Sequence, residues 1–242
     1  MFTIFLKEVN NFLNSLIAYI VIGVFLTSIG LLMWVFPESS ILEYGYADMG
    51  TLFTMGPYVF MFLIPAITMR MFAEEKRTGT AELLFTRPLT SFDIIAGKYM
   101  AGFFLVVFSL LPTVLYYVSV YNLGNPVGNL DTPGIIGSYI GLTLLGGVFV
   151  SIGIFSSSVT ENQVVSFILA VFLSFIMYSG LSSIAGINVW GEFSYIIEQF
   201  SVLYHYGSLS KGLIDLRDIV YFLSVIAVML LITNLIINSR KW

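Results

Sequence analysis

The chain of 242 residues has no cysteine and one histidine, and Asp, Glu, Lys and Arg together make up only 10% of it. Without cysteine there can be no disulfide, thiolate metal site or cysteine nucleophile. A lone His205 cannot build a metal site; it reads as an interfacial or hydrogen-bonded structural residue. Charge is too sparse for a soluble domain, which carries about 25% charged and about 45–50% apolar residues, whereas here the apolar share is 58%. A net charge of −4 with no basic face argues against nucleic acid as a partner. These absences leave an integral membrane protein whose main partner is the lipid bilayer.

Motifs for chemistry are missing as well. Gly97-Lys98 is followed by Tyr99, with no upstream glycine at phosphate-loop spacing and no Ser or Thr for magnesium, so the chain is expected not to be its own ATPase. Ser179-Gly180-Leu181-Ser182 has the residue types of an intramembrane serine protease. A serine nucleophile needs a base within hydrogen-bond reach, however, and His205 falls outside the apolar runs. No catalytic or metal-ligating residues are assigned.

Apolar runs long enough to cross a bilayer occur at about 16–36, 52–72, 97–120, 136–158, 164–186 and 218–237. The first is too long for the core of a signal peptide and lacks a small-x-small cleavage pattern, so it is expected to remain as an anchor. Six spans predict an all-α membrane protein forming one domain over 1–242, with both termini on the same side. The loop between the second and third runs, with its flanks, holds Arg70, Lys76, Arg77, Arg87 and Lys98; the first loop has Glu38, Glu43 and Asp48 with no basic residue. Basic loops stay inside, which predicts cytoplasmic termini and an inner-membrane location. No Asp, Glu, Lys, Arg or His stands in the middle of a run, which argues against an ion-coupled secondary transporter.

Two amphipathic stretches flank these spans. Phe5, Val9, Phe12, Leu13 and Leu16 recur at helical spacing, opposite Lys7, Glu8, Asn10, Asn11 and Asn14, predicting an interface helix. Phe193, Ile196, Ile197, Phe200, Leu203 and Tyr204 form a second stripe, opposite Glu198, Gln199 and His205, predicting an outer helix before the last span. Either could instead pack on the protein's own spans. Small residues four apart, Gly137 and Gly141, Gly147 and Ser151, and Ser166, Ala170 and Ser174, predict close packing of the fourth and fifth spans. Pro57, Pro65 and Pro112 predict kinks.

The stretch Glu74–Lys98 is an island of charge in this apolar chain. Gly79 breaks the chain, Thr80 can cap a short helix through Phe85 with Glu82 in its first turn, and Arg87-Pro88 ends it. Thr90 and Asp93 then form a cap for the next helix. A short helix bearing Leu83, Leu84 and Phe85 would thus stand at the cytoplasmic surface between two spans, suited to docking in a groove of another protein; an ordinary basic loop that sets topology is the alternative.

Glu75-Lys76-Arg77-x-Gly79-Thr80-x-Glu82-Leu83-Leu84-x-x-Arg87-Pro88, with Gly97-Lys98 opening the next span, resembles the segment after the second span of ABC-2-type transporter permeases. His205-Tyr206-Gly207 through Lys211-Gly212-Leu213-Ile214-Asp215-Leu216-Arg217-Asp218 resembles the family's stretch ahead of the sixth span. The likeness runs over the whole chain, and within the family it is greatest to permeases associated with bacterial gliding. It implies an ATP-driven exporter permease in which a separate cytoplasmic ATPase, carrying the ATP and magnesium, docks on the helix after the second span. The coupling residues it implies are Gly79, Thr80, Glu82, Leu83, Leu84, Phe85 and Pro88, with Phe5, Val9, Phe12 and Leu13 in an adjoining interface helix. It also implies a second permease subunit, identical or different, and no cofactor on this chain. No motif marks the substrate site. A membrane anchor that passes ATPase motion to periplasmic machinery, without transport, is the competing reading.

Overall fold

The computed structural model describes residues 1–80, 89–187, 191 and 193–239. Among these every regular element is a helix, and six helical stretches are long and apolar enough to cross a membrane. Helix α1 (Phe2–Leu13) precedes the first span, α2 (Leu16–Trp34). A short α3 (Ile41–Tyr44) leads to α4 (Gly50–Thr68), which continues after a bend as α5 (Ala73–Arg77). The third span is α6 (Ser91–Leu110), a 3-10 turn (Leu111–Thr113) and α7 (Val114–Leu123). The fourth is α8 (Thr132–Val159). The fifth is α9 (Gln163–Phe175), a π-helical turn (Ile176–Gly180) and α10 (Leu181–Ala185). Two short helices, α11 (Phe193–Gln199) and α12 (Val202–Leu209), come before the sixth span, α13 (Leu216–Ser239).

Local chemistry sets many of these boundaries. The Ser15 hydroxyl accepts the Ile17 amide and starts α2, so Leu16 belongs to the first span and is 74% exposed rather than completing the α1 stripe. Thr90 and Asp93 form the expected capping box at α6. Asp131 caps α8 and Asn162 caps α9.

The core is built around α8, which packs against α4, α6, α9, α12 and α13. Its most apolar stretch is 72% buried, against 17% for α13, so α8 is the axis and α13 the rim. Small residues make that position possible. A Cβ on Gly137 would lie 2.8 Å from Gly212 backbone, and one on Gly141 would lie 2.6 Å from the Leu209 Cβ. Ser151, Ser166, Ala170 and Ser174 are fully buried. The small-residue spacing therefore marks true helix contacts.

Pro112 does interrupt its helix, at the 3-10 turn between α6 and α7. Pro57 and Pro65 lie inside helix α4. A proline at 57 leaves the Phe53 carbonyl without its helical donor, and the Tyr206 hydroxyl donates to that carbonyl at 2.6 Å. Burial pushes the Tyr206 phenol well above its usual range, which keeps it a protonated donor. Thus α12 is tied to the second span through the atom the proline frees.

The outer stripe does not form one helix. The chain turns at Phe200 and Ser201, where the Ser201 hydroxyl accepts the Leu203 amide and donates to the Tyr178 carbonyl in the π turn. The buried residues are Val202, Tyr206 and Leu209, while Phe193, Ile196 and Phe200 are more than half exposed. Both described chain ends lie at one end of the bundle: α1 packs on α6, and Ser91 near the start of α6 donates to Asn238 near the end of α13 at 2.7 Å.

Candidate functional site: a charged junction at the end bearing the termini

Three parts of the chain converge on one lysine. Lys98 stands about two turns into α6, with its side chain 1% exposed. Its ammonium lies 2.9 Å from Glu8 Oε1 on α1 and 2.9 Å from Glu75 Oε1 on α5, and it donates to the Met71 carbonyl at 2.6 Å. The ammonium thus has two hydrogen-bond acceptors, Glu8 and the Met71 carbonyl, and two carboxylates as ion-pair partners. The Phe72 ring centroid is 5.0 Å from Nζ. Lys7 adds a bridge to Glu75 at 3.2 Å from the half-exposed side of α1.

This placement corrects the sequence reading in two respects. Lys98 and Glu75 belong to an island expected to meet water, yet Lys98 is buried and the Glu75 side chain is 16% exposed. Glu8, on the polar side of the α1 stripe, is only 6% exposed. The cause is reciprocal: each charge supplies what the other needs once water is gone, whereas an isolated buried charge is costly. Gly97 makes the approach possible, because a Cβ there would sit 3.0 Å from Ile4 and 3.1 Å from the Met1 carbonyl. Of the expected interface residues, Val9 and Phe12 are buried, Phe5 and Leu13 partly so, and Ile4 joins them.

Helix α5 is also fixed to the axis of the bundle. The Ser157 hydroxyl on α8 accepts the Phe72 and Ala73 amides at 2.9 and 3.0 Å and donates to the Met69 carbonyl at 3.0 Å. Lys76 donates to the Ser158 carbonyl. One serine therefore satisfies backbone groups exposed by the bend between α4 and α5.

A polar cleft of about 370 Å³ opens between α1 and the α4–α5 bend, lined among others by Lys7, Asn11, Arg70, Glu74 and Thr78. At its rim the expected coupling segment begins. Gly79 is exposed with φ +71°, a left-handed conformation that suits glycine. The Thr80 hydroxyl donates to the Glu75 carbonyl at 3.3 Å and lies 2.9 Å from the Thr78 hydroxyl. Glu82, Leu83, Leu84, Phe85 and Pro88 lie outside the described residues. Among the described residues there is no group of three or more His, Cys, Asp or Glu placed to hold a metal.

Lys98 and Glu8 are not among the site residues expected from the sequence. The only signal there is a lysine inside an apolar run and an acid in an amphipathic helix. Nothing local joins residues 90 positions apart.

Six apolar spans on an all-helical frame define a multi-pass membrane protein. The chain belongs to the ABC-2 family of transporter proteins, whose family model matches residues 3–241. No curated protein matches it. Membership makes the chain a permease, the membrane component of a transporter that works with an ABC ATPase.

Proposed function

We propose that this chain is the membrane-spanning half of an ATP-driven exporter and that its ATPase docks on the segment from Gly79 to Pro88. The supporting observation is the Lys98 junction, which joins α1 to the α4–α5 bend just before that segment and to the third span just after it. A push on the docked segment would reach α8 through Ser157 and α6 through Lys98 together, because the α4–α5 bend that precedes it is linked to both by buried polar contacts. Gly79, Thr80, Glu82, Leu83, Leu84, Phe85 and Pro88 are the coupling residues of this reading. ATP and magnesium bind the partner, and a second permease subunit completes the pathway.

The basic residues around the junction support a cytoplasmic location for it and for both termini, with the chain in a bacterial inner membrane. A cysteine replacing Asp131 should then react with an impermeant thiol reagent added outside, while one replacing Arg77 should not; reversed labelling would overturn this orientation. Likeness to GldF, the gliding-motility permease, supports export serving motility or surface secretion.

The exposed Phe193, Ile196 and Phe200 favour one competing reading, a mechanical anchor that contacts a periplasmic protein without transport. Purifying the tagged native complex and identifying its subunits tests the proposal: an ABC ATPase and a second permease are expected. ATPase stimulation by a protein partner without substrate flux would favour the anchor.

A further inference from the structure

His205 occupies a hydrogen-bonding position that only its charged form can fill. Its Nδ1 is 2.7 Å from Asp218 Oδ1 on α13, and its Nε2 is 2.9 Å from the carbonyl of Gln199, the last residue of α11. A carbonyl and a carboxylate both accept, so both ring nitrogens must donate, and a neutral imidazole has only one N–H. Ser208 donates to the other Asp218 oxygen at 2.8 Å, which satisfies that carboxylate as an anion. The Tyr221 ring stacks on the imidazole with centroids 3.8 Å apart, and a cation is favoured both over an aromatic face and at a helix C-terminus.

We propose that protonated His205 is a latch that clamps α11, with its exposed apolar face, to the start of the sixth span, and that the latch loosens as pH rises. With the proton gone, either the Gln199 carbonyl or Asp218 must lose its donor. The remaining N–H stays with the Asp218 carboxylate, the stronger acceptor, so the Gln199 carbonyl at the end of α11 is the group released; Tyr206 on the Phe53 carbonyl, Ser201 on the Tyr178 carbonyl and Tyr221 on the Phe200 carbonyl keep α12 and the turn before it in place.

Other ionisable groups surround the imidazole. Tyr204 is on its own helix, Tyr195 and Glu198 are on α11, and Tyr221 is on α13. Lys211, Asp215 and Arg217 line the adjoining cleft of about 1030 Å³. Tyr204 is raised above its usual range, first by its hydrogen bond with Tyr195. Ordinary carboxylates, lysines, arginines and tyrosines keep their charge state between about pH 5 and 8, and histidine is the side-chain type whose reference range falls there.

Backbone hydrogen exchange of the full chain in detergent, corrected for intrinsic exchange, tests the latch at about pH 6 and about pH 8.5. Protection of α11 should fall about tenfold at the higher pH while that of α12 stays nearly constant. His205→Gln should show the low value at both pH values. Asp218→Asn should keep the high value at both: the asparagine amide donates to Nδ1, its oxygen accepts from Ser208, and neutral His205 still donates to Gln199. Equal α11 protection at the two pH values in the native chain would overturn the proposal. So would an Asp218→Asn protein as pH-dependent as the native one.

Discussion

Lys98→Met should lower stability by about 3–5 kcal/mol, the cost of breaking a buried ion pair by removing one partner. Methionine is close to lysine in length, so packing changes little; the penalty comes from Glu8 and Glu75, which lose the buried ammonium and keep only the half-exposed Lys7, 3.7 Å from Glu8 and 3.2 Å from Glu75. In detergent this is read as a large drop in the thermal midpoint, or as failure to recover monodisperse protein. Adding Glu8→Gln and Glu75→Gln to Lys98→Met should restore most of the loss, because neutral amides are far less costly to bury than unpaired carboxylates. Recovery by that combination separates an electrostatic junction from a merely crowded site. A single variant as stable as the native chain would show that Lys98 does not hold α1 and α5 on the third span.

Gly212→Ala should cost about 2–4 kcal/mol, combining left-handed backbone strain with overpacking. Gly212 has φ +78°, and a Cβ on it would sit 2.2 Å from the Gly134 Cα and 2.6 Å from the Gly134 carbonyl oxygen. Those atoms are backbone, so no side-chain rotation relieves the contact. Either α8 or the turn before α13 must move, and the contact between Gly137 and Gly212 would be lost with it. Gly207→Ala is the control from the same region. Gly207 lies within helix α12, and a methyl group added to it would have nothing within 4 Å, so alanine there should be near neutral. Thermal midpoints of the two variants should therefore separate clearly.

Spans and their caps were legible because they depend on runs and local hydrogen bonds. All six apolar runs became helices, and the Thr90–Asp93 box formed as written. Small-residue spacing also identified α8 and α9 as closely packed, since a missing side chain is visible in the sequence itself. The α1 stripe reads one residue too far, into Leu16, because Ser15 caps a new helix there. The outer stripe reads as one helix because helical spacing of Phe193, Ile196 and Phe200 does not reveal the turn at Ser201.

The charged junction was not legible. Polar residues on an amphipathic helix are expected to face water, and only the arrival of Lys98 over Gly97 turns Glu8 inward. Pro57 shows the same limit: its effect on α4 depends on Tyr206, a donor 153 positions away from the carbonyl it meets. Long-range partners decide whether a charge is exposed and whether a carbonyl freed by proline is satisfied. Spacing within one segment carries no record of them.

If an ATPase binds the segment between α5 and the third span, its motion enters the membrane there, and a single charge on that segment should break the complex. Co-purification of the ATPase with the tagged native chain and with Leu84→Asp reads this directly, after confirming that both insert in the membrane to the same extent. The native chain should retain the ATPase and Leu84→Asp should lose it, because a charge would be buried unpaired at the dock. Undiminished ATPase binding by a folded, inserted Leu84→Asp protein would contradict docking at this segment.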